Sequence, residues 1–390
     1  MNRLYLAWRY LRHQRAKTTI LVASMTLILY LPLALQILVD RTARDLRRRA
    51  DETPLVVGAR GGALDLVLRA LYFEGEVPAP TDMAQVDRIR RGGLADPVPL
   101  HLRFRVGAQP VVGTTLDYFE FRRLRVAEGQ WFGILGECVL GDSAARELGV
   151  ATGGSVVTSP ENVFDLAGVY PLKLKVAGVL EPTHGPDDGA VFVDVRTAWV
   201  IAGIGHGHQD LATADEQALL RRENGSATAN ASLVHYNEIT REQAHEFHFH
   251  GDPAKFPVTA ILAVARDSKS RTILSGQYLK RDEPCQILRP SQVVEEVVAK
   301  VVRIRGYVVV AVGLVSLGTL MTSVLVFLLS IRLRRREIET MRKIGCSRGT
   351  VASLVVWEIL IVLLTGALLA GVLAAITGSF ATPLLRGLLV

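Results

Sequence analysis

Three histidines near the middle of the chain have the spacing best suited to binding a transition metal. They are His245, His248 and His250, which form a His-x-x-His-x-His pattern. Imidazole is the commonest metal ligand near neutral pH, and this spacing can bring two or three rings together on a turn. The alternative is a solvated polar loop whose histidines serve no shared purpose. The pattern is therefore a candidate metal site, to be tested by zinc or copper binding.

Motifs for other enzymatic chemistry are absent from the sequence. No Gly-x-x-x-x-Gly-Lys-Ser/Thr stretch occurs, so the chain has no P-loop of its own to hold nucleotide phosphates. No Gly-x-Ser-x-Gly elbow and no His-Glu-x-x-His motif occurs, which removes the commonest hydrolase signals. A membrane-anchored enzyme with an unmarked site is the alternative. The sequence favours a non-catalytic protein, for which any ATP would be bound by a partner.

Composition places the chain among membrane proteins. It has 390 residues, of which 49% are hydrophobic, and this is too apolar for an ordinary soluble protein. The net charge of +7 would suggest nucleic acid if the arginines formed one folded patch. Many of them instead flank apolar runs, where membrane topology requires them. We therefore expect contact with membrane lipid and no binding to nucleic acid.

A basic segment between two apolar runs sets the topology. Residues 306–331 carry no charge and are long enough to span a bilayer. Residues 332–350 are rich in arginine, and a second apolar run begins at Val351. Because short arginine-rich loops stay on the cytoplasmic side, the sequence predicts that residues 332–350 lie inside.

The same segment has the pattern of a short amphipathic helix. Ile338, Met341 and Ile344 recur at three-residue spacing between charges, and Gly345 stands where a helix would stop. The alternative is a basic loop that only determines topology. A sequence motif favours the helix. It consists of Arg336-Glu337-Ile338, then Arg342, then Gly345-Cys346-Ser347, and is followed by Glu358 in the next apolar run.

This motif resembles the cytoplasmic coupling segment of the MacB, FtsX and LolC/LolE family of ABC transporter permeases. The resemblance implies that the segment docks on a separate ATPase subunit, which would bind ATP and Mg²⁺. Glu358 is the only charged residue in its apolar run, and a structural contact with this segment or with the amino-terminal helix is favoured over a proton relay. The implied coupling residues are Arg336, Glu337, Ile338, Met341, Arg342, Ile344, Gly345 and Glu358.

The amino-terminal residues predict an interfacial helix followed by a first span. Residues 1–17 contain five basic residues and no acid, while Leu4, Trp8 and Leu11 fall on one helical face. The apolar run 18–39 is longer than a typical signal-peptide core, and no small-residue cleavage site follows it. Arginines at 41, 44 and 47–49 oppose an outward direction, but a large domain is translocated largely regardless of local charge.

Residues 40–305 are predicted to form an extracytoplasmic α+β domain with helical stalks at 40–50 and 291–305. Short strands and turn clusters alternate with short helices between them. Neither stalk segment contains proline or glycine between its ends, so each is expected to extend a span as helix. Val294, Val298 and Val301 form an apolar stripe, whose partner we expect to be the facing stalk of a second copy.

The last apolar run, 351–385, is too long for one straight span and slightly short for a helical hairpin. The family resemblance implies four spans, the last two forming a hairpin. Three spans are favoured here, and a cramped hairpin turning at Gly378 is the alternative. The predicted fold class is thus an α-helical membrane protein with three spans and a large extracytoplasmic α+β domain between the first and second.

The three cysteines show no metal or redox spacing. Cys346 falls in the inside segment and is expected to be a reduced thiol. Cys138 and Cys285 fall outside, where an oxidising compartment would let them pair. Two separate buried cysteines are the favoured alternative.

The order of parts resembles this permease family over essentially the whole length. The resemblance implies a homodimer flanked by two ATPase chains in the bacterial inner membrane, with the stalks transmitting ATP-driven movement outward. The work would export a peptide, extract a lipoprotein, or act on an extracytoplasmic or outer-membrane partner. The alternative is a membrane-tethered ligand sensor without an ATPase, although no cytoplasmic output domain is recognisable. Co-purification with an ATPase would discriminate the two.

Overall fold

The computed structural model describes residues 3–160, 171–206, 219–223, 226–229, 238–280 and 283–389. The chain divides into two compact units. One comprises Met1–Arg47 with Glu295–Val390 and consists of helices; we call it the helical unit. The other, Arg48–Val294, contains the β-sheet; we call it the sheet domain. It lies in sequence between the first and second long apolar helices, as predicted.

Long helices dominate the helical unit. Among the described residues, three helices are long and apolar enough to cross a membrane, which confirms the three predicted spans. The third runs through Gly378 without a turn, so the hairpin alternative is wrong. The α-helices of both units, of which α3 to α8 belong to the sheet domain, are α1 Arg3–His13, α2 Arg15–Glu52, α3 Ala63–Tyr72, α4 Met83–Gly92, α5 Leu116–Arg122, α6 Asp142–Leu148, α7 Val195–Ile201, α8 Ser268–Gln277, α9 Pro290–Leu333, α10 Arg335–Lys343 and α11 Arg348–Leu389.

Helix α11 buries a stripe in which every fourth residue faces the rest of the helical unit. Its outer part consists of small residues, which let helix backbones approach closely in a membrane. Gly366 allows a close approach, since a Cβ atom there would lie 2.9 Å from Met25 Cβ of α2. Thr26 Oγ1 also donates to the Gly366 carbonyl at 3.4 Å. The stripe is Leu354, Glu358, Val362, Gly366, Ala370, Ala374 and Gly378.

The sheet domain is built on a mixed sheet in the order β17-β1-β16-β3-β4-β10-β6-β9-β5, with β7 on β9 and β8 on β3. The strands are β1 Val56–Ala59, β2 Thr81–Asp82, β3 Ala95–Val106, β4 Gln109–Thr114, β5 Val126–Gly129, β6 Glu137–Leu140, β7 Ser155–Val157, β8 Ser159–Pro160, β9 Lys173–Leu180, β10 Val191–Asp194, β11 Gly205–His206, β12 Leu219–Glu223, β13 Ser226–Ala229, β14 His248–Phe249, β15 Pro257–Val258, β16 Ala260–Ala265 and β17 Cys285–Leu288. The predicted α+β class is confirmed.

Most neighbouring strands are antiparallel, but β10 pairs with β4 and β6 pairs with β9 in parallel. These parallel pairs need crossover connections, and the short helices α5, α6 and α7 lie in or next to the connecting segments. Two hydrophobic clusters form the core. One centres on the β4, β6, β9 and β10 strands and contains Cys138, while the other lies against β1, β16 and β17 and contains Cys285.

Candidate functional site

Helix α10 is the helix predicted for the coupling segment. It ends with the Gly345 N–H donating to the Arg342 carbonyl at 3.0 Å and the Cys346 N–H donating to the Met341 carbonyl at 3.1 Å. This pair of hydrogen bonds is a Schellman motif, which needs a left-handed residue, and Gly345 has φ +97°. Ser347 then caps α11, because its Oγ accepts from the Thr350 N–H at 3.2 Å. The Gly-Cys-Ser turn is therefore short and defined.

The start of α10 is held by a buried ion pair. Arg334, the residue before α10, donates from Nη1 to both carboxylate oxygens of Glu358 at 3.0 and 3.3 Å. Its guanidinium also lies 3.5 Å from the centroid of the Tyr10 ring. Glu358 is almost fully buried, and a buried carboxylate requires such a partner. The pair thus joins α1, α11 and the start of the coupling helix.

Lys17 of α2 adds a second cation near this point. Its ammonium donates to the Ser330 hydroxyl of α9 and lies within 6 Å of the Tyr10 and Phe327 ring centroids. The four long or amphipathic helices α1, α2, α9 and α11 therefore contribute to one cluster of polar and aromatic groups beside α10. Sequence reasoning assigned no role to Arg334, Tyr10 or Lys17. The signal was the lone Glu358, for which the sequence predicted a structural contact with the coupling segment or the amino-terminal helix.

The predicted coupling residues differ in exposure. Ile338 and Met341 are half-buried, whereas the Ile344 side chain is 78% exposed. Arg336 and Arg342 are exposed beside them, and the side chain of Glu337 lies outside the described residues. An apolar side chain this exposed at a basic helix end can bind an apolar and acidic surface of another protein. The role of these residues stays a prediction.

Two ion pairs join α2 to α9 within the helical unit. Arg305 Nη1 contacts Asp40 Oδ1 at 2.6 Å, and Arg47 makes a two-pronged contact with Glu295 at 2.8 and 3.0 Å. Within the predicted stalk stripe, Val294 and Val298 are already buried in the single chain, each 2% exposed. Only Val301, 42% exposed, presents surface to a second copy. The predicted dimer contact at Val294 and Val298 would therefore require these side chains to be uncovered.

The histidine pattern is only partly within the described residues. His248 and His250 stack edge to face with ring centroids 4.8 Å apart, and His248 Nδ1 lies 3.0 Å from the Glu246 carbonyl. The side chain of His245 lies outside the described residues. Among the side chains that are described, no group of three or more His, Cys, Asp or Glu could hold a metal. The metal site stays a prediction.

The cysteines are all free thiols in this structure. Cys138 and Cys285 are buried in separate hydrophobic clusters, which agrees with the favoured alternative of two unpaired cysteines. Burial raises the pKa of both thiols, so neither is a ready nucleophile at neutral pH. Cys346 is exposed, within the turn between α10 and α11.

A buried polar network in the sheet domain was not anticipated from sequence. Arg49, in the last turns of α2, donates from Nη1 and Nη2 to the two oxygens of Asp187 at 2.6 and 2.9 Å. It also donates to the Tyr118 hydroxyl at 2.9 Å and to the Leu71 carbonyl at 2.5 Å. The Tyr118 hydroxyl donates to Asp187 at 2.6 Å. Each guanidinium nitrogen of Arg49 and each carboxylate oxygen of Asp187 therefore has a hydrogen-bond partner.

The electrostatics of this network keep Asp187 ionised. Burial alone would raise the pKa of the Asp187 carboxyl, but the Arg49 charge and the hydrogen bonds outweigh it and lower that pKa below its usual range. Burial raises the pKa of the Tyr118 hydroxyl, which stays neutral. The stabilisation from Asp187 is therefore present above the ordinary carboxyl pKa and is lost as pH falls through its lowered value.

Comparisons with known proteins identify two regions. A family model described as a MacB-like periplasmic core domain matches residues 39–232, and one described as an FtsX-like permease C-terminal matches residues 309–387. No curated protein matches the chain. The periplasmic region of MacB from Actinobacillus actinomycetemcomitans is similar at 11% identity and TM-score 0.32, over 63% of this chain and 92% of that one. The extracellular domain of the noncanonic ABC-type transporter YknZ from Gram-positive bacteria has the same identity and TM-score, over 60% and 98%.

Proposed function

Because the chain belongs to the MacB/FtsX-type family of ABC transporter permeases, we propose that a separate ATPase drives it through α10. The sequence contains no P-loop, so ATP and Mg²⁺ would be bound by that partner. The observation that carries the proposal is a nine-residue amphipathic helix, basic and exposed, held between two membrane helices with Ile344 uncovered at its end. The natural partner is an ATPase surface with an apolar pocket and acidic residues around it.

The two ends of α10 suit it to transmitting force. At its start, the Arg334–Glu358 pair connects it to α11, and at its end a short capped turn leads directly into the same helix. A flexible loop would absorb movement of the docked ATPase, whereas this arrangement would pass it to α11. The Arg305–Asp40 and Arg47–Glu295 pairs would similarly keep α2 and α9 moving together.

We infer that the work is done on the sheet domain, in the bacterial inner membrane, by a homodimeric permease. The stalk segments 40–50 and 291–305 belong to the continuous helices α2 and α9, which supports their use as levers. The cargo would be a peptide, a lipoprotein or an outer partner moved or activated outside the bilayer. Substrate then need not cross between the spans.

The docking of α10 can be tested by co-purification of the full chain with a co-expressed ATPase. Ile344→Asp should abolish the complex, because it places a charge where an apolar contact forms. Met341→Asp should do the same, while Ile344→Leu, which keeps the apolar surface, is the matched control and should retain the ATPase. If both aspartate variants still bind the ATPase, the docking site lies elsewhere.

The ion pair at the start of α10 allows a test of coupling as opposed to docking. Arg334→Gln should leave the ATPase bound but reduce stimulation of its activity by the permease, since the helix loses its connection to Glu358. The exchange variant Arg334→Glu with Glu358→Arg should recover part of the stimulation.

In the co-purification experiment, a permease that purifies without any ATPase would instead support the alternative function of a membrane-tethered ligand sensor.

A further inference from the structure

An open groove of about 500 Å³ lies between α1 and α11 in the helical unit. The two helices pack together beside it, where Ala7 is fully buried and Leu11 joins a cluster with Val362. The groove is the open side of this fixed helix pair, and its lining is almost entirely apolar. The lining residues are Leu4, Tyr5, Trp8, Ile361, Leu364 and Thr365.

With the basic segment 332–350 on the cytoplasmic side, as the sequence predicts, the groove lies at the depth of the inner leaflet. Its α11 residues begin one turn beyond Glu358 and extend about 5–10 Å from it at the α-helical rise. Glu358 and Arg334 mark the inner polar boundary, because Arg334 stands where the apolar run of α9 passes into the basic segment. The lining residues therefore face the glycerol and upper acyl region of the cytoplasmic leaflet.

The cations beside the groove match an anionic headgroup. Residues 1–17 contain five basic residues and no acid. Arg9 Nη1 donates to the Tyr5 hydroxyl at 3.5 Å and its guanidinium lies 6.0 Å from the Tyr5 ring centroid, so a charge stands directly against the lining. Arg12 is exposed one turn after Trp8. Basic groups beside a membrane groove are typical of sites for acidic phospholipids.

We propose that this groove binds one anionic phospholipid of the inner leaflet. An acyl chain packs against Leu4, Trp8 and Leu364, and the phosphate is held by Arg9 and Arg12. A zwitterionic lipid carries its own cation next to its phosphate, so it fills the same groove but gains less from the two arginines. The bound lipid would brace α1 against α11 close to the Arg334–Glu358 pair.

The test uses the full chain, purified in a neutral detergent, and native mass spectrometry. Phosphatidylglycerol and phosphatidylcholine with identical acyl chains are added in competition, and the retained lipid is counted. The wild type should retain one phosphatidylglycerol in preference to phosphatidylcholine, by about fivefold for each arginine. Arg9→Gln with Arg12→Gln should remove the preference. The matched control is Arg44→Gln with Arg48→Gln, which removes two exposed arginines near the carboxyl end of α2, far from the groove in sequence. This variant should keep the preference for phosphatidylglycerol.

A second pair of variants tests the groove itself. Leu364→Trp adds bulk to the lining and should reduce retention of both lipids at least fivefold. Leu368→Trp makes the same change one turn further along α11, at an exposed position outside the lining, and should bind lipid as the wild type does. Equal retention of the two lipids by the wild type would overturn the proposal. So would a preference that survives the Arg9 and Arg12 changes, or lipid binding unaffected by Leu364→Trp.

Discussion

The Arg49–Asp187 pair is a buried ion pair on which the stability of the sheet domain depends. Both side chains are buried, and they form a two-pronged ion pair with each other. Removing one member of such a pair leaves an uncompensated charge in a low-dielectric interior. Tyr118 and the Leu71 carbonyl cannot replace it, because neither carries an opposite full charge.

We expect Arg49→Ala to lower the free energy of unfolding of the sheet domain by about 3–5 kcal/mol. Hydrogen exchange of the full chain in detergent, followed on β4 and β10 peptides, measures the change. Lys173→Ala is the matched control, since it breaks the exposed pair with Glu238 and should cost at most about 1 kcal/mol. Equal effects of the two substitutions would mean that the buried pair contributes no more than a surface pair.

His101 predicts a pH dependence for the same domain. The ring is buried and its Nδ1 lies 3.1 Å from the Pro257 carbonyl. Burial lowers the pKa of His101 to about 4, below the ordinary value of about 6.5. The unfolded chain therefore binds a proton first as pH falls, so the stability is complete above about pH 6.5 and is lost towards pH 4.

Between pH 6.5 and pH 4, this one group should reduce the free energy of unfolding by roughly 3 kcal/mol. His101→Gln should flatten that part of the stability profile, measured by hydrogen exchange on β3 peptides at a series of pH values. His184→Gln removes an exposed histidine of the same domain and should leave the profile unchanged. Identical slopes for the wild type and His101→Gln would contradict the assignment.

At the scale of elements, the contact between α2 and α11 depends on a missing side chain. A Cβ atom at Gly366 would approach Met25 Cβ at 2.9 Å and the Thr26 nitrogen at 3.4 Å. A larger residue would push the two helices apart and weaken the hydrogen bond from Thr26 Oγ1 to the Gly366 carbonyl, now 3.4 Å. Because the residue at this contact has no side chain, the backbones of α2 and α11 pack closely against each other.

Gly366→Leu should destabilise the helical unit by about 1–3 kcal/mol through overpacking. Thermal unfolding in detergent, monitored by size-exclusion chromatography, would show a lower midpoint. Gly371→Leu is the matched control on the same helix, because a Cβ atom there meets nothing within 4 Å. A midpoint lowered equally by both changes would mean that leucine perturbs α11 irrespective of its contact with α2.

At the scale of the whole molecule, the predicted homodimer can be tested on the α9 stripe. Because Val298 is buried and Val301 exposed in a single chain, cysteine at Val301 should crosslink two copies more readily than cysteine at Val298. Oxidative crosslinking in membranes, with and without ATP and the ATPase, measures this. Crosslinks at Val298 alone would mean that α9 is repacked in the dimer, and crosslinks at neither would remove this contact.

Local sequence patterns determined the features of this protein that need only neighbouring residues. Apolar runs of sufficient length specified the three spans, and short strands with turn clusters between them indicated an α+β domain. Gly345 ended α10 because that backbone conformation favours glycine. These features could be predicted because their energetics are decided within a few residues.

Only the tertiary structure decided which distant side chains meet. Arg49 and Asp187 are separated by 138 residues, and nothing local in either segment indicates the other. The valine stripe showed that α9 needed an apolar partner, but not that Val294 and Val298 would be covered within their own chain. Likewise, the sequence predicted that Glu358 contacts the coupling segment or the amino-terminal helix, but it did not specify Arg334. The groove between α1 and α11 exists only once those helices pack. An amphipathic pattern indicates which side chains are buried, whereas the identity of the residues that they contact depends on the fold of the whole chain.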